Sequence, residues 1–366
     1  MTTTQAAIVE AGTAFTLTEI ELSDLQDHEV LVEVKAAGLC HTDLTVASGG
    51  LPFPLPGVLG HEGAGIVKEV GAGVQNVAVG DKVVLSFTSC GACEGCRSGH
   101  PAYCVRWLPD NLLAGRRADG SSPLQHNGDD IGGHFFGQSS FARLAIADAR
   151  SVVPVETDLD FSLLAPLACG VQTGAGAIWN ALRLAAGSTV VVFGVGTVGL
   201  AAIMAAALTP ATEIIAVDLV EERLELAMQL GATASINPQS VDDVVASIQE
   251  LTGGGAHAVV EATGNTGVLS QAVQATRIQG HVAIVGAPPF GQTVAVDVNF
   301  MLPGRKIHGL TIGDGEIQSI IPALIRLMEQ GRLPVERLVK TYPLVDINQA
   351  IQDMESGTTI KPVLIP

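Results

Sequence analysis

Basic side chains are few in this chain: 19 Lys and Arg stand against 37 Asp and Glu, a formal charge of 19 − 37 = −18. No Lys/Arg cluster offsets that balance, which repels phosphate backbones and anionic lipid surfaces, so nucleic acid and membrane are excluded as expected partners. Charged residues amount to only 15% and hydrophobic ones to 47%, far from the composition of disordered chains. The opening residues, MTTTQAAIVEAG, have neither a basic n-region nor an apolar h-region, so no export is expected and the chain is assigned to the cytoplasm. Six cysteines in 366 residues are too thinly spread for a secreted disulfide scaffold. No internal repeat or low-complexity tract is visible.

What is present fits two domains, at roughly 100–200 residues each. The most apolar stretch lies between Arg183 and Glu213, where 29 consecutive positions carry no charge. Its length would span a bilayer, but its internal order differs from a spanning helix. A short β-branched run at 188–193 reads as a strand buried on both faces, and a glycine turn and a helix-forming run at 200–207 follow. The alternation continues with strands at 213–218, 234–236, 256–261 and 281–285 and helices at 221–230, 241–251 and 268–276. That pattern predicts right-handed crossovers and a parallel sheet covered on both faces. The segment before Gly170 is rich in Gly, Pro and Val, with strand-like alternation at 30–34 and 82–85, and reads as β-rich and barrel-like. A helix at 317–330 and a short tail at 360–365 are expected to return to it. The expected division is therefore 1–170 with 311–366, and 171–310.

Gly194-x-Gly196-x-x-Gly199 would be a weak pattern alone in a chain with 42 glycines. Here it follows a strand, opens a helix and precedes an acidic residue, Asp218, by 19 positions. The glycines allow a tight turn, backbone approach to a pyrophosphate and close helix–strand packing. The phosphates would sit on the helix N-terminus at Thr197 and Val198, where free N–H groups and the dipole favour anions. Asp218 would accept from ribose hydroxyls and repel a 2′-phosphate, which favours NAD over NADP.

Four of the six cysteines crowd into fifteen positions as Cys90-x-x-Cys93-x-x-Cys96-x7-Cys104. That spacing suits a tetrahedral structural zinc; an iron–sulfur cluster uses the same donors, but a single run beside a dinucleotide fold favours zinc. Cys40 and Cys169 remain, and an isolated cysteine is more often a small buried hydrophobe than a ligand. Cys40 begins Cys40-His41-Thr42-Asp43, and His61-Glu62 interrupts an apolar stretch. Three separated N/S ligands with an open position make a catalytic zinc site. The spacing does not establish that these residues converge.

Together these motifs resemble the zinc-dependent alcohol dehydrogenases of the medium-chain dehydrogenase/reductase superfamily over essentially the whole chain. The resemblance rests on the Cys-His-Thr-Asp start, Gly-His-Glu-Gly-Ala-Gly at 60–65, the four-cysteine lobe, Cys169-Gly170 and the glycine loop, all in family order. It implies a GroES-like catalytic domain and a Rossmann coenzyme domain. Cys40, His61 and Cys169 would hold a catalytic zinc, the other four cysteines a structural one, with NAD as coenzyme. Glu62 is similar to a family carboxylate that helps the metal change coordination, and Asp43 to the carboxylate that orients the His ligand. Zinc lowers the pKa of a coordinated hydroxyl, for water from 15.7 to about 7. By the same resemblance Thr42 would take the alcohol proton while a hydride passes to nicotinamide. Many family enzymes end the proton relay on a histidine where this chain has Thr45, so His41 is a candidate terminal base as well as a pyrophosphate contact. Thr173, Leu219, Arg223, Val285 and Lys361 match other cofactor positions, Lys361 as the basic residue that reaches the pyrophosphate.

Aromatics make up only 4% of the chain, yet Phe135, Phe136 and Phe141 fall within seven residues. With Phe53 and Val285 they are the candidate substrate pocket, against core packing as the commoner role of a phenylalanine. The segments around Phe53 and 133–141 are similar to the bacterial aryl-alcohol (benzyl alcohol) dehydrogenase branch, which also contains geraniol dehydrogenases. The expected substrate is a primary alcohol next to an unsaturated carbon, with a general aliphatic alcohol as the alternative. A zinc-free reductase would not retain Cys40, His61 and Cys169, and a merely structural NAD- and zinc-binding protein would not need Thr42. The family associates through a coenzyme-domain edge strand, here expected at 307–312, which implies a homodimer or homotetramer.

Overall fold

The computed structural model describes residues 2–366. The chain divides into two compact units, one formed by the stretch up to Cys169 with Glu316–Gln330 and Val335–Pro366, the other by Gly170–Gly315 with Gly331–Pro334.

The first unit is built on two β-sheets, of five and seven strands. In the strand Glu29–Gly38, Val30, Val32, Val34 and Ala36 are buried while Leu31, Glu33 and Lys35 are half-exposed, the two-residue period of a sheet with one packed face. Its buried face joins Val67, Val83, Leu85, Ala147 and Val152 in one core. Three strands meet at the far end of Glu29–Gly38. Ala37 pairs with Gly63 at the start of Gly63–Val70 and with Leu364 of the C-terminal strand Lys361–Ile365. The leads into and out of these strands therefore lie together: Leu39-Cys40 on one, His61-Glu62 on the next, Lys361 on the third. The return expected near the C-terminus is made by the helix Ile317–Glu329, whose buried Ile317, Ile320, Ile321, Leu324, Ile325 and Met328 repeat at helical spacing, and by that strand.

The second unit carries β1 (Thr189–Phe193), α1 (Thr197–Ala207), β2 (Glu213–Val217), α2 (Glu221–Gln229), β3 (Ala234–Ile236), α3 (Val244–Thr252), β4 (Ala256–Glu261), α4 (Thr266–Gln274), β5 (Thr276–Ile284) and β6 (Lys306–Gly309). All pairings are parallel and the order is β3-β2-β1-β4-β5-β6, the doubly wound arrangement with its reversal between β1 and β4. The uncharged run at 184–212 resolves into β1, fully buried, and α1, buried along nearly its whole surface. No single helix of the described residues is long and apolar enough to cross a membrane.

Two elements differ from the sequence expectation. β5 starts at Thr276, where a helix was expected to end, because the chain leaves α4 directly into the sheet through an irregular register and a left-handed Gln279. Gly280, which reads as a breaker, is tolerated inside that strand. The edge strand ends at Gly309 instead of reaching residue 312, since Ile312, Gly313 and Asp314 all have positive φ. Asn180 Nδ2 holds that left-handed run by donating to the Gly313 and Asp314 carbonyls at 3.0 and 3.3 Å.

Within the first unit, Arg117 and Glu29 form a buried two-pronged ion pair, Nε–Oε1 at 2.7 Å and Nη2–Oε2 at 2.6 Å. Arg117 also donates to Ser23 Oγ and the Asp24 carbonyl, so its fork is fully engaged. Removing one member strands the other charge, a loss of about 3–5 kcal/mol. Arg117→Met is accordingly expected to lower the denaturant midpoint of the first unit, and a midpoint equal to wild type would contradict this reading of the pair.

Candidate active site and dinucleotide loop

The first unit brings together four donor groups that are distant in sequence. Ligand atoms of Cys40, His61, Glu62 and Cys169 all lie within 4.8 Å of one another. Their arrangement is held by Asp43, which is fully buried. Its Oδ2 accepts the Cys40 N–H at 2.9 Å, and its Oδ1 faces the Gly60 N–H and His61 Nδ1, both at 3.1 Å. Because Nδ1 is turned to Asp43, Nε2 is the ring nitrogen left for the cluster, and it is buried without a hydrogen-bond partner. An orphaned buried nitrogen beside two sulfurs fits a cation with N/S preference, and a carboxylate on the other ring nitrogen is the usual support for such a ligand. Gln138 ties the neighbouring segments, donating to the His61 and Ser86 carbonyls and accepting the Gly63 N–H. Ser86 Oγ in turn donates to the Ala168 carbonyl at 2.6 Å, which fixes the approach to Cys169.

Protonation in this cluster reflects competition for few protons. Hydrogen bonding between the sulfurs holds Cys40 well below the usual thiol range and pushes Cys169 well above it. Burial disfavours a charged His61, yet the Asp43 carboxylate overrides it and, with Cys40, holds the ring up at about 10. Burial pushes Glu62 up to about 7 against the pull of Lys361. Lys361 is 1% exposed; its Nζ lies 2.5 Å from Glu62 Oε2 and donates to the Leu39 carbonyl at 2.9 Å. Lys361, expected from the resemblance as the basic residue that reaches the pyrophosphate, is thus engaged with Glu62 and the Leu39 carbonyl. Gly38 makes that geometry possible, since a Cβ there would overlap Glu62 Oε2.

Thr42 Oγ1 lies 3.7 Å from Cys40 Sγ, so the hydroxyl expected to take the alcohol proton borders the cluster. His41 is exposed at the start of the helix His41–Ala47. The Thr45 hydroxyl donates to the His41 carbonyl at 2.9 Å and is committed to the helix backbone.

An aromatic wall lies against His61. Phe136 stacks on the His61 ring at 4.5 Å and 27°, and Phe135 meets it edge-on at 5.5 Å. Phe53 packs on Phe135 at 5.2 Å and Trp107 on Phe136 at 5.6 Å. Phe136 adopts φ 52°, a left-handed conformation that costs a bulky residue of order 1–3 kcal/mol and is found where surroundings enforce it. Phe141, expected with them in the pocket, stands apart from this wall, its ring packing edge-on against Phe15 at 6.0 Å.

Cys90, Cys93, Cys96 and Cys104 gather their sulfurs within 4.8 Å as well. A tetrahedral ion with Zn–S bonds of about 2.3 Å sets sulfurs about 3.8 Å apart. The Cys93–Cys96 and Cys90–Cys96 separations are 3.5 and 3.9 Å. Backbone N–H groups of Cys93 and Arg106 point at the Cys90 and Cys104 sulfurs at 3.3 and 3.4 Å; such contacts hold Cys90 down, while burial pushes Cys104 up to about 12. The N–H groups of Cys96 and Val105 hold Cys93 down at about 6.

In the second unit, Gly194 takes φ +83° at the turn out of β1, and a Cβ on Gly199 would overlap the Gly194 carbonyl. Space beside Gly196 is open, with nothing within 4 Å of where a Cβ would stand, so backbone there can be approached by a ligand. Asp218 does more than sequence suggests. Its Oδ2 accepts the Val195 N–H at 2.7 Å and its Oδ1 the Val220 N–H at 3.0 Å, so it braces the loop. Leu219 is exposed, Arg223 is half-buried with Nε unpartnered, and Thr173 is buried in the helix Gly170–Gly176. Val285 follows β5 and donates its N–H to the Glu261 carbonyl at 2.9 Å. Glu261, which that contact holds, ends the strand Ala256–Glu261 as its one acidic residue and drew no attention in the sequence.

Residues 26–157 match the alcohol dehydrogenase GroES-like domain and residues 197–330 the zinc-binding dehydrogenase domain. Over 99% of its length the chain is 39% identical to a geraniol dehydrogenase of Castellaniella defragrans, covering 97% of that protein. It is similar to the crystal structure of an alcohol dehydrogenase zinc-binding domain protein from Burkholderia ambifaria, with 47% identity and TM-score 0.96 over 100% of this chain and 99% of that one. It is equally similar in fold to benzyl alcohol dehydrogenase from Acinetobacter calcoaceticus, with 45% identity and TM-score 0.96 at the same coverage.

If both clusters hold zinc, the purified protein contains two ions per chain. His61→Ala is expected to retain one and lose dehydrogenase activity, while Cys93→Ala loses the other and lowers the thermal midpoint. One zinc in wild type, or unchanged stoichiometry in His61→Ala, would contradict the two-site assignment.

Proposed function

Because this chain belongs to the zinc-binding alcohol dehydrogenase family, we propose that it reversibly oxidises primary aromatic or allylic alcohols, benzyl alcohol in type, to their aldehydes with NAD. An oxidoreductase of this family works with zinc and a nicotinamide cofactor. Cys40, His61 and Cys169 hold the catalytic zinc, and Cys90, Cys93, Cys96 and Cys104 the structural one. The observation that carries the substrate reading is the aromatic wall, Phe135 and Phe136 against His61 with Phe53 behind Phe135. Two relatives bear the names of substrates with an unsaturated carbon next to the carbinol, geraniol and benzyl alcohol.

In this reading the alcohol loses two electrons and two protons. The nicotinamide, when bound, would supply the hydride acceptor, and the hydroxyl proton leaves for solvent. Zinc, when bound, supplies a Lewis acid that makes that hydroxyl acidic near neutral pH and stabilises the charge developing on its oxygen. Asp43 keeps His61 in the tautomer that leaves Nε2 free, and Thr42 Oγ1 accepts the hydroxyl proton. With Thr45 committed to the helix backbone, the exposed His41 takes the proton onward or solvent does. The phenylalanines exclude water and pack against the flat unsaturated part of the substrate, favouring offset and edge-on ring contacts worth about 0.5–1.5 kcal/mol each. Asp218 offers its remaining lone pairs to the adenosine ribose hydroxyls. Six free thiols suit a reducing compartment, which supports a cytoplasmic enzyme. The edge strand β6 supports association into a dimer or tetramer.

Two measurements test this. With NAD, kcat/KM for benzyl alcohol and geraniol is expected to exceed that for ethanol and cyclohexanol by tenfold or more, about 1.4 kcal/mol; the opposite order would reject the aromatic and allylic assignment. Asp218→Ala is expected to weaken both coenzymes by loosening the loop, yet to lose the preference for NAD over NADP. An unchanged ratio would remove Asp218 from coenzyme choice.

A further inference from the structure

Within the second unit, Glu261 is a buried carboxylate that none of the roles above uses: it is 1% exposed at the C-terminal end of β4. Ligands of doubly wound sheets bind beyond the carboxyl ends of the strands, where the strand order reverses. Here the reversal lies between β1 and β4, and Glu261 pairs with Phe193, the last residue of β1. Its side chain and its main chain each hold a turn at that end of the sheet. Oε1 accepts the Thr263 N–H at 2.7 Å and the Thr263 hydroxyl, and the Gly264 N–H also faces the carboxylate. The Glu261 carbonyl accepts the N–H groups of Val285 and Gly286 at 2.9 and 3.0 Å. The two turns are packed together, since a Cβ on Gly286 would overlap Gly264.

Thr263 is the exposed member of this group, and its methyl lies against the glycine loop, 2.8 Å from where a Cβ on Gly194 would stand. With the hydroxyl proton committed inward to Glu261 and one lone pair accepting the Asn265 N–H at 3.0 Å, the oxygen keeps its second lone pair as an acceptor. That lone pair can take a hydrogen bond from a ligand hydroxyl. Asp218 follows β2 in the half of the sheet before the reversal, while Glu261, Thr263 and Val285 belong to the half after it. A dinucleotide lies across the reversal with one nucleotide on each half. We propose that Glu261 is a positioning residue for the nicotinamide nucleotide: it fixes the polarity of the Thr263 hydroxyl and the turn at 285–286, so that Thr263 accepts from the nicotinamide-side ribose. Burial pushes the Glu261 carboxyl above its usual range, against the hydrogen bonds from Thr263 and Gly264.

The proposal rests on the dinucleotide reading of the glycine loop, and the test separates the two. Dissociation constants are measured calorimetrically for NADH and for ADP, which lacks the second ribose and the nicotinamide, on wild type, Glu261→Ala and Thr263→Val. Wild type is expected to bind both, and its failure to bind either would overturn the dinucleotide reading itself. Glu261→Ala and Thr263→Val are expected to weaken NADH at least fivefold while ADP stays within twofold. Thr263→Val changes an exposed hydroxyl, so it reads the same contact should Glu261→Ala fail to fold. Equal weakening of NADH and ADP would reduce Glu261 to a structural brace, and unchanged NADH affinity in Thr263→Val would overturn the proposal.

Discussion

The carboxylate of Asp43 faces three groups from two stretches of chain: the Cys40 N–H, the Gly60 N–H and the His61 ring. The Gly60 and His61 contacts are buried, where an unmade hydrogen bond costs about 1–3 kcal/mol, so the two segments are locked in register against each other. The consequence is chemical as much as structural. Holding Nδ1 leaves Nε2 as the donor that faces two sulfurs, and turning the start of the helix His41–Ala47 sets Thr42 at the border of that cluster. Without this carboxylate the sheet would still form, but its donor groups would lack a common orientation.

The sheet supplies the rest. The strand Glu29–Gly38 ends where Gly63–Val70 and Lys361–Ile365 begin, so residues separated by more than 300 positions share one end of a sheet. Gly38 lets Glu62 pass close enough to meet Lys361. That pairing leaves the Lys361 cation already engaged with Glu62 in a chain of net charge −18.

Legibility in the sequence followed the range of each interaction. The four-cysteine lobe and the glycine loop were readable because donor spacing and strand–turn–helix order are local. Cys40, His61 and Cys169 are separated by 21 and 108 positions, so no spacing rule could join them; a family resemblance did so, and the sheet explains how. Phe135, Phe136 and Phe141 read alike as pocket candidates, but the left-handed backbone of Phe136 turns it onto His61 while Phe141 turns to Phe15, a difference no composition shows. Lys361 reads as a free cation, since nothing near it in sequence announces Glu62. β5 was misjudged because Gly280 signals a break that the sheet absorbs as an irregularity.

Asp43 orients a donor cluster that it does not itself complete. Loss of such a supporting carboxylate typically weakens a metal site 10–100-fold. Zinc affinity at the Cys40, His61 and Cys169 centre, measured by chelator competition in Asp43→Ala with the four-cysteine ion as internal reference, is predicted to fall within about that range while the reference ion is retained. An Asp43→Ala protein that binds both ions as tightly as wild type would contradict the account.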